Sequence, residues 1–237
     1  MFMTDRDRRI VLAVGRFGQL KTGHVRSLFF DALSSTPSDR ALLRLTKRRY
    51  LARIERPLAG GNKGGSGQYV YQLGSEGWKL CRRETRYWPY RAVNAHMLAI
   101  ADVFVSLKTL EAEGRYQVSG FATEPDTWMT VAGADLRPDL HVELVDSELR
   151  RSLDWWLEVD MGTERQKQLS DKMSRYYHAW QYSTEDDMFS FPRTVFLVPD
   201  DERVKELRWL ISRLPEEARI LFDVKLMSEF PKALLVV

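Results

Sequence analysis

Apolar residues in the first third of the chain recur three times at helical spacing and then switch to alternation. Thr4 or Asp5 caps a first helix whose apolar face is Ile10, Leu12, Ala13, Val14 and Phe17, with Gly15 and Gly18 ending it. Thr22 caps a short second helix carrying Val25, Leu28, Phe29 and Phe30. Pro37-Ser38-Asp39 opens a third helix that runs to about Leu51, with Leu42 and Leu45 toward a core. Arg40, Arg44, Lys47 and Arg48 follow at three-to-four spacing and fall on another face of that helix. Ile54 to Pro57 then reads as a strand, Ala59 to Gly67 as a glycine-rich tip, and Gln68 to Leu73 as a second strand of alternating β-formers. Ser75 caps a fourth helix through Trp78 and Leu80.

The pattern is different beyond that point. Tyr90 to Glu113 predicts a long helix with His96, Ile100, Val103, Phe104 and Leu107 on one face. Strands follow at Tyr116 to Ala122, around Trp128 to Val131, at Asp139 to Val145 and at Asp154 to Asp160, the last apolar with an acidic end. Thr163 caps a helix to about Tyr182, with Glu164 in its first turn. A buried strand spans Thr194 to Val198 and stops at Pro199. Asp200-Asp201 starts another helix, and strands near Ile220 and Leu234 finish the chain. The fold class expected is α+β, with domains at 1–88 and 89–237.

Charge sharpens that division. Residues 1–91 hold 19 Lys+Arg against 7 Asp+Glu, a balance of +12, and the other 146 residues balance at −9. A basic lobe is drawn to a polyanion, with nucleic acid the obvious one. The lone Cys81 excludes an internal disulfide and a Cys-based zinc site, which fits a cytoplasmic protein. The start lacks the features of a signal peptide, and Met97 to Leu107 is too short and too polar to span a bilayer, so no membrane partner is expected. His24, His96, His141 and His178 lack metal-binding spacing. Tyr176, Tyr177, Trp180 and Tyr182 offer rings for base stacking or for helix packing.

Helix, helix, basic helix and hairpin is the order of a winged helix-turn-helix, whose third helix enters the major groove and whose wing follows the backbone. Arg40, Arg44, Lys47, Arg48 and the wing residues Asn62 and Lys63 are the candidate contacts to double-stranded DNA. The glycine tip lacks GxxxxGK[ST], which argues against a nucleotide cradle. In the acidic part, the order helix, strands, helix, strand resembles the αβββαβ core of the PD-(D/E)xK nuclease-like fold, the core of restriction endonucleases. Pro138-Asp139 stands at the family's Pro-Asp, and Glu158-Val159-Asp160 at its (D/E)-x-Lys. Hard carboxylate oxygens suit Mg²⁺, so Asp139, Glu158 and Asp160 are the candidate catalytic and metal ligands. Glu158 and Asp160, two apart on a strand, share a face. Asp160 occupies the lysine position, and Lys167 or Lys172 on the next helix is the candidate replacement.

The chain as a whole resembles the replication-relaxation family of plasmid and integrative-element proteins. The resemblance rests on Thr4-Asp5-Arg6-Asp7, Leu28-Phe29-Phe30, the basic third helix, the wing from Arg56 to Tyr71, Asn94-Ala95-His96, Arg137-Pro138-Asp139, and Leu157 to Glu164 with Lys172 and Tyr176 downstream. It implies a part in replication or relaxation of mobile-element DNA. Three functions are carried forward. The first is a DNA-binding accessory protein whose acidic part dimerises, holds other replication or transfer proteins, or keeps a relic nuclease site. The second is a Mg²⁺-dependent endonuclease or nickase, and the third is a winged-helix transcription regulator.

Overall fold

Thr4 accepts a hydrogen bond from the Asp7 amide at 3.1 Å and so starts α1, Asp5–Phe17. A computed structural model of the chain describes residues 3–30, 35–58, 68–184 and 191–235. It is a mixed α+β structure that divides into two units, Met1–Val105 and Ser106–Val237, with the division inside one helix.

In the first unit α1 continues through Gly15 and ends at Gly18, whose φ of +74° suits glycine. The next two residues form β1, Leu20–Lys21, a strand too short to show a period in sequence. Lys21, not Thr22, is the N-cap of α2, Thr22–Phe29. The third helix, α3, spans Thr36–Lys47 and stops earlier than the periodicity suggests. Arg49 turns left-handed at φ +57°, and Leu51 already begins β2, Leu51–Leu58. β3, Gln68–Leu73, pairs antiparallel with both β1 and β2, giving the sheet order β1-β3-β2. α4, Ser75–Leu80, starts at Gly74 with no side-chain cap. At Gly77 a Cβ would meet the Tyr50 carbonyl oxygen, so only glycine lets α4 cross beneath the α3–β2 turn. Ile10, Val11, Val14, Leu20, Val25, Leu42, Leu45 and Val70 are fully or almost fully buried and form the core. The predicted tip from Ala59 to Gly67, with Asn62 and Lys63, lies outside the described residues.

The long helix α5, Ala95–Ala112, begins five residues later than expected, where the Asn94 side chain accepts from the Met97 amide. The second unit then builds a five-stranded sheet in the order β10-β9-β8-β7-β4. Its strands are β4 (Tyr116–Thr123), β7 (Leu140–Asp146), β8 (Arg151–Val159), β9 (Arg193–Val198) and β10 (Phe222–Leu226). β4, β7 and β8 are antiparallel neighbours, and β8, β9 and β10 run parallel. β5 (Met129–Val131) and β6 (Ala134–Leu136) form a separate ribbon. α6, Gln166–Tyr182, crosses from β8 to β9, as a parallel connection requires. It starts at Arg165 rather than Thr163, because the Arg165 amide is taken by the Gln168 side chain at 2.8 Å. α7, Asp201–Ser212, is capped by Asp200, and the short α8, Glu216–Arg219, follows. The strand expected near Leu234 is instead α9, Lys232–Leu235. Trp156, Leu169, Met173, Tyr176, Phe196, Leu207 and Phe222 form a buried cluster between α6, α7 and one sheet face.

Candidate nucleic-acid interface and a buried carboxylate site

The four cations predicted on α3 do not act as one stripe. Ser38, Ala41, Leu42 and Leu45 are buried, and this fixes how the helix is rotated. Arg40 and Lys47 then point to solvent. Arg44 turns instead to α1, where its guanidinium holds Asp7 in a forked pair, 2.8 Å to Oδ1 and 2.9 Å to Oδ2. Asp7 is 2% exposed, so Arg44 neutralises a buried acid. Arg48 lies over the Tyr50 ring at 5.3 Å.

Other residues take up the concave side of the unit. A groove of about 1090 Å³ runs between α2, α3 and the sheet, and Arg26, Asp39, Leu43, Arg49, Arg53 and Tyr69 are among its lining residues. The Arg53 guanidinium sits 4.3 Å from the centre of the Tyr69 ring. The Arg26 Nε is buried and has no hydrogen-bond partner among the described residues. Helical spacing of basic residues on α3 draws attention away from these positions. The signal that could have found them is the alternation of β3, which puts Tyr69 and Tyr71 on the same side of the hairpin, beside Arg53.

The histidines that lack metal spacing include two that hydrogen-bond to carboxylates. His24 is buried, with Nε2 2.7 Å from Asp102, and His141 lies 2.6 Å from Asp154.

In the second unit the alternation of β8 sends Trp156 and Glu158 toward α6, and Asp160 follows on the same side toward α7. Glu158 is 1% exposed. Its Oε1 accepts from the Tyr176 hydroxyl at 2.7 Å, and its Oε2 from Lys172 Nζ at 2.9 Å. Lys172 also donates to Glu164 at 3.1 Å. Burial, and secondarily the Asp139 charge, push the Glu158 carboxyl up to about 7, against the pull of Lys172 and Tyr176. Burial draws the Lys172 ammonium downward, but the acids around it prevail and hold it above the ordinary lysine range. Asp139 binds backbone, its Oδ2 accepting from the Val159 amide at 2.7 Å.

Asp160 belongs to a different set. Its Oδ2 accepts from Arg203 Nε at 2.7 Å, and its Oδ1 from the Gly162 amide at 2.7 Å. Arg203 also donates to the Glu164 carbonyl and to Glu206. Glu158 and Lys172 are therefore brought together, Asp139 lies near enough for its charge to be felt, and Asp160 is bound elsewhere. Among the described residues no group of three or more His, Cys, Asp or Glu side chains is placed to hold a metal ion. The donor set agrees: one ammonium occupies Glu158 and Glu164, and one guanidinium occupies Asp160. These residues do not fit a ready-made Mg²⁺ site. Lys167 has no described contact with the group.

No helix among the described residues is long and apolar enough to cross a membrane. A family model described as replication-relaxation matches residues 13–193. No curated protein matches the chain. Among solved structures, the chain is similar to a mutant of MarR from E. coli complexed with operator DNA. The identity is 13%, the match covers 46% of this chain and 71% of that one, and the TM-score is 0.26.

Proposed function

The chain belongs to the replication-relaxation family, and from that premise we propose that it binds duplex DNA as an accessory protein in replication, relaxation or transfer of plasmid or mobile-element DNA. One observation carries the reading. The order α1-β1-α2-α3-β2-β3, with the sheet β1-β3-β2, is that of a winged helix-turn-helix. It lies in the stretch of chain that carries the cationic surplus. α3 is the major-groove helix, and Arg40 and Lys47 on it, with Arg49 in the turn after it and Arg53 on β2, are the exposed phosphate partners. Arg44 supports them from behind by fixing α3 on α1.

The test is anisotropy of a labelled duplex of about 30 base pairs with the full chain across a salt series. Four neutralised phosphates give a log–log slope of about −3.6, a loss of about a hundredfold in affinity from 50 to 200 mM salt. Arg40→Glu together with Lys47→Glu abolishes binding at about 100 mM salt. A duplex that stays unbound by the unaltered chain at about 20 mM salt defeats the reading.

The second unit is a nuclease-like scaffold. The antiparallel run β4-β7-β8 followed by the parallel crossover through α6 to β9 is the order of that core, and it supports this assignment. The pairing of Glu158 with Lys172 and of Asp160 with Arg203 favours a structural role for the carboxylates over cleavage. Supercoiled plasmid incubated with the chain and Mg²⁺ is expected to remain supercoiled on an agarose gel. Nicked or linear product that disappears in Glu158→Ala would restore the nuclease reading.

A further inference from the structure

The outer face of α3 is not uniformly polar. Leu43 sits at its middle with 57% of its surface exposed, between Arg40 one turn before and Lys47 one turn after. A single exposed leucine is ordinary on a protein surface. This one also lines the groove, together with Asp39 one turn earlier and the arginines at 26, 49 and 53. The two kinds of residue point to two kinds of contact. Cations flanking the helix suit phosphates. An exposed acid in the groove wall is repelled by phosphate and accepts a hydrogen bond from a base amine, as a carboxylate does from cytosine N4. A wall that carries Asp39 and Leu43 suits base edges better than phosphates.

A side chain that neither donates nor accepts discriminates among bases by apolar contact alone. In the major groove, thymine is the base that presents a methyl group. We propose that Leu43 is a specificity-determining residue of this interface, packing on the 5-methyl group of a thymine while Arg40 and Lys47 hold the backbone on either side. The inference rests on the DNA-binding reading above and adds to it a base preference and the residue that imposes it.

The experiment uses the full chain. Duplexes are selected at low salt from a pool with a randomised centre, and each thymine of the selected duplex is then replaced singly by deoxyuridine, which removes only the methyl group. The unaltered chain is expected to lose about fourfold in affinity at one thymine per bound unit, the worth of one methyl group taken from water. Leu43→Gln is expected to bind the thymine and uracil duplexes equally while keeping the salt slope of the unaltered chain. Equal binding of every uracil duplex by the unaltered chain overturns the proposal, as does a thymine preference that survives in Leu43→Gln. Failure of the unaltered chain to bind any duplex at low salt is a different result, and it removes the DNA-binding reading itself.

Discussion

Replacing Lys172 with methionine is expected to lower the stability of the second unit by about 4 kcal/mol at pH 8 and by far less at pH 5. The stem of methionine fills the place of the lysine stem, so the change isolates the ammonium. At pH 8 Glu158 is above its raised pKa of about 7, and losing Lys172 forces it either to stay ionised at 1% exposure, with Tyr176 its remaining described donor, or to take up a proton from a solution far above its unfolded pKa; both are costly. Removing one partner of a buried pair costs about 3–5 kcal/mol, because the other charge stays desolvated. At pH 5 Glu158 holds its proton, and a neutral carboxyl beside Tyr176 needs no counter-ion. The sign for the unaltered chain follows from the same shift. The native carboxyl binds its proton more tightly than the unfolded one, whose pKa is 4.5. Its contribution to stability is complete below about pH 4.5 and is lost as pH rises through about 7. Urea unfolding followed by tryptophan fluorescence at the two pH values measures both effects. An equal cost at pH 5 and pH 8 would show that Lys172 acts by packing and not by charge. Glu158→Gln, which cannot titrate, should make the cost of Lys172→Met independent of pH.

The parts legible in sequence are those whose cause is local. Buried Leu42 and Leu45 set the rotation of α3, and their spacing alone gives it. The alternation in β8 likewise puts Glu158 and Asp160 on one side, which the acidic strand end already implied. Long-range partners leave no trace in a spacing rule. Nothing near Arg44 announces that Asp7, in another helix, will take it out of the cationic stripe. Nothing near Asp160 announces Arg203, which lies 43 residues away. The same holds for the boundaries. α3 ends at Lys47 because the chain must turn into β2, and the periodic apolar residues that follow belong to the strand. β1 has two residues, too few to show alternation, yet it completes the sheet β1-β3-β2 on which the DNA-binding reading depends. The error at Leu234 has a similar origin: a short apolar run fits a strand or a buried helix equally well, and four residues wind into α9.

Arg203→Ala is expected to cost about 4 kcal/mol, and Arg203→Lys to recover less than half of it. The guanidinium makes three contacts in different directions, to the Asp160 carboxylate, to Glu206 and to the Glu164 carbonyl. It is 8% exposed and Asp160 is 6% exposed, so water does not replace what the truncation removes. An ammonium has donors but not the planar fork, and it reaches one of these acceptors well at a time. The consequence extends beyond the pair. Glu164, whose carbonyl Arg203 holds, is also the second acceptor of Lys172, so Arg203 positions the segment that completes the Glu158 site. The two sites are therefore coupled, and a double-mutant cycle of Arg203→Ala with Lys172→Met at pH 8 should depart from additivity by about 1 kcal/mol. Strict additivity would mean that the Glu164 backbone keeps its place without Arg203. Asp160→Asn in the Arg203→Ala background gives the second check. Removing the orphaned charge should restore part of the lost stability. If it restores none, Asp160 is not the group that Arg203 neutralises, and the assignment of Asp160 to an internal ion pair fails.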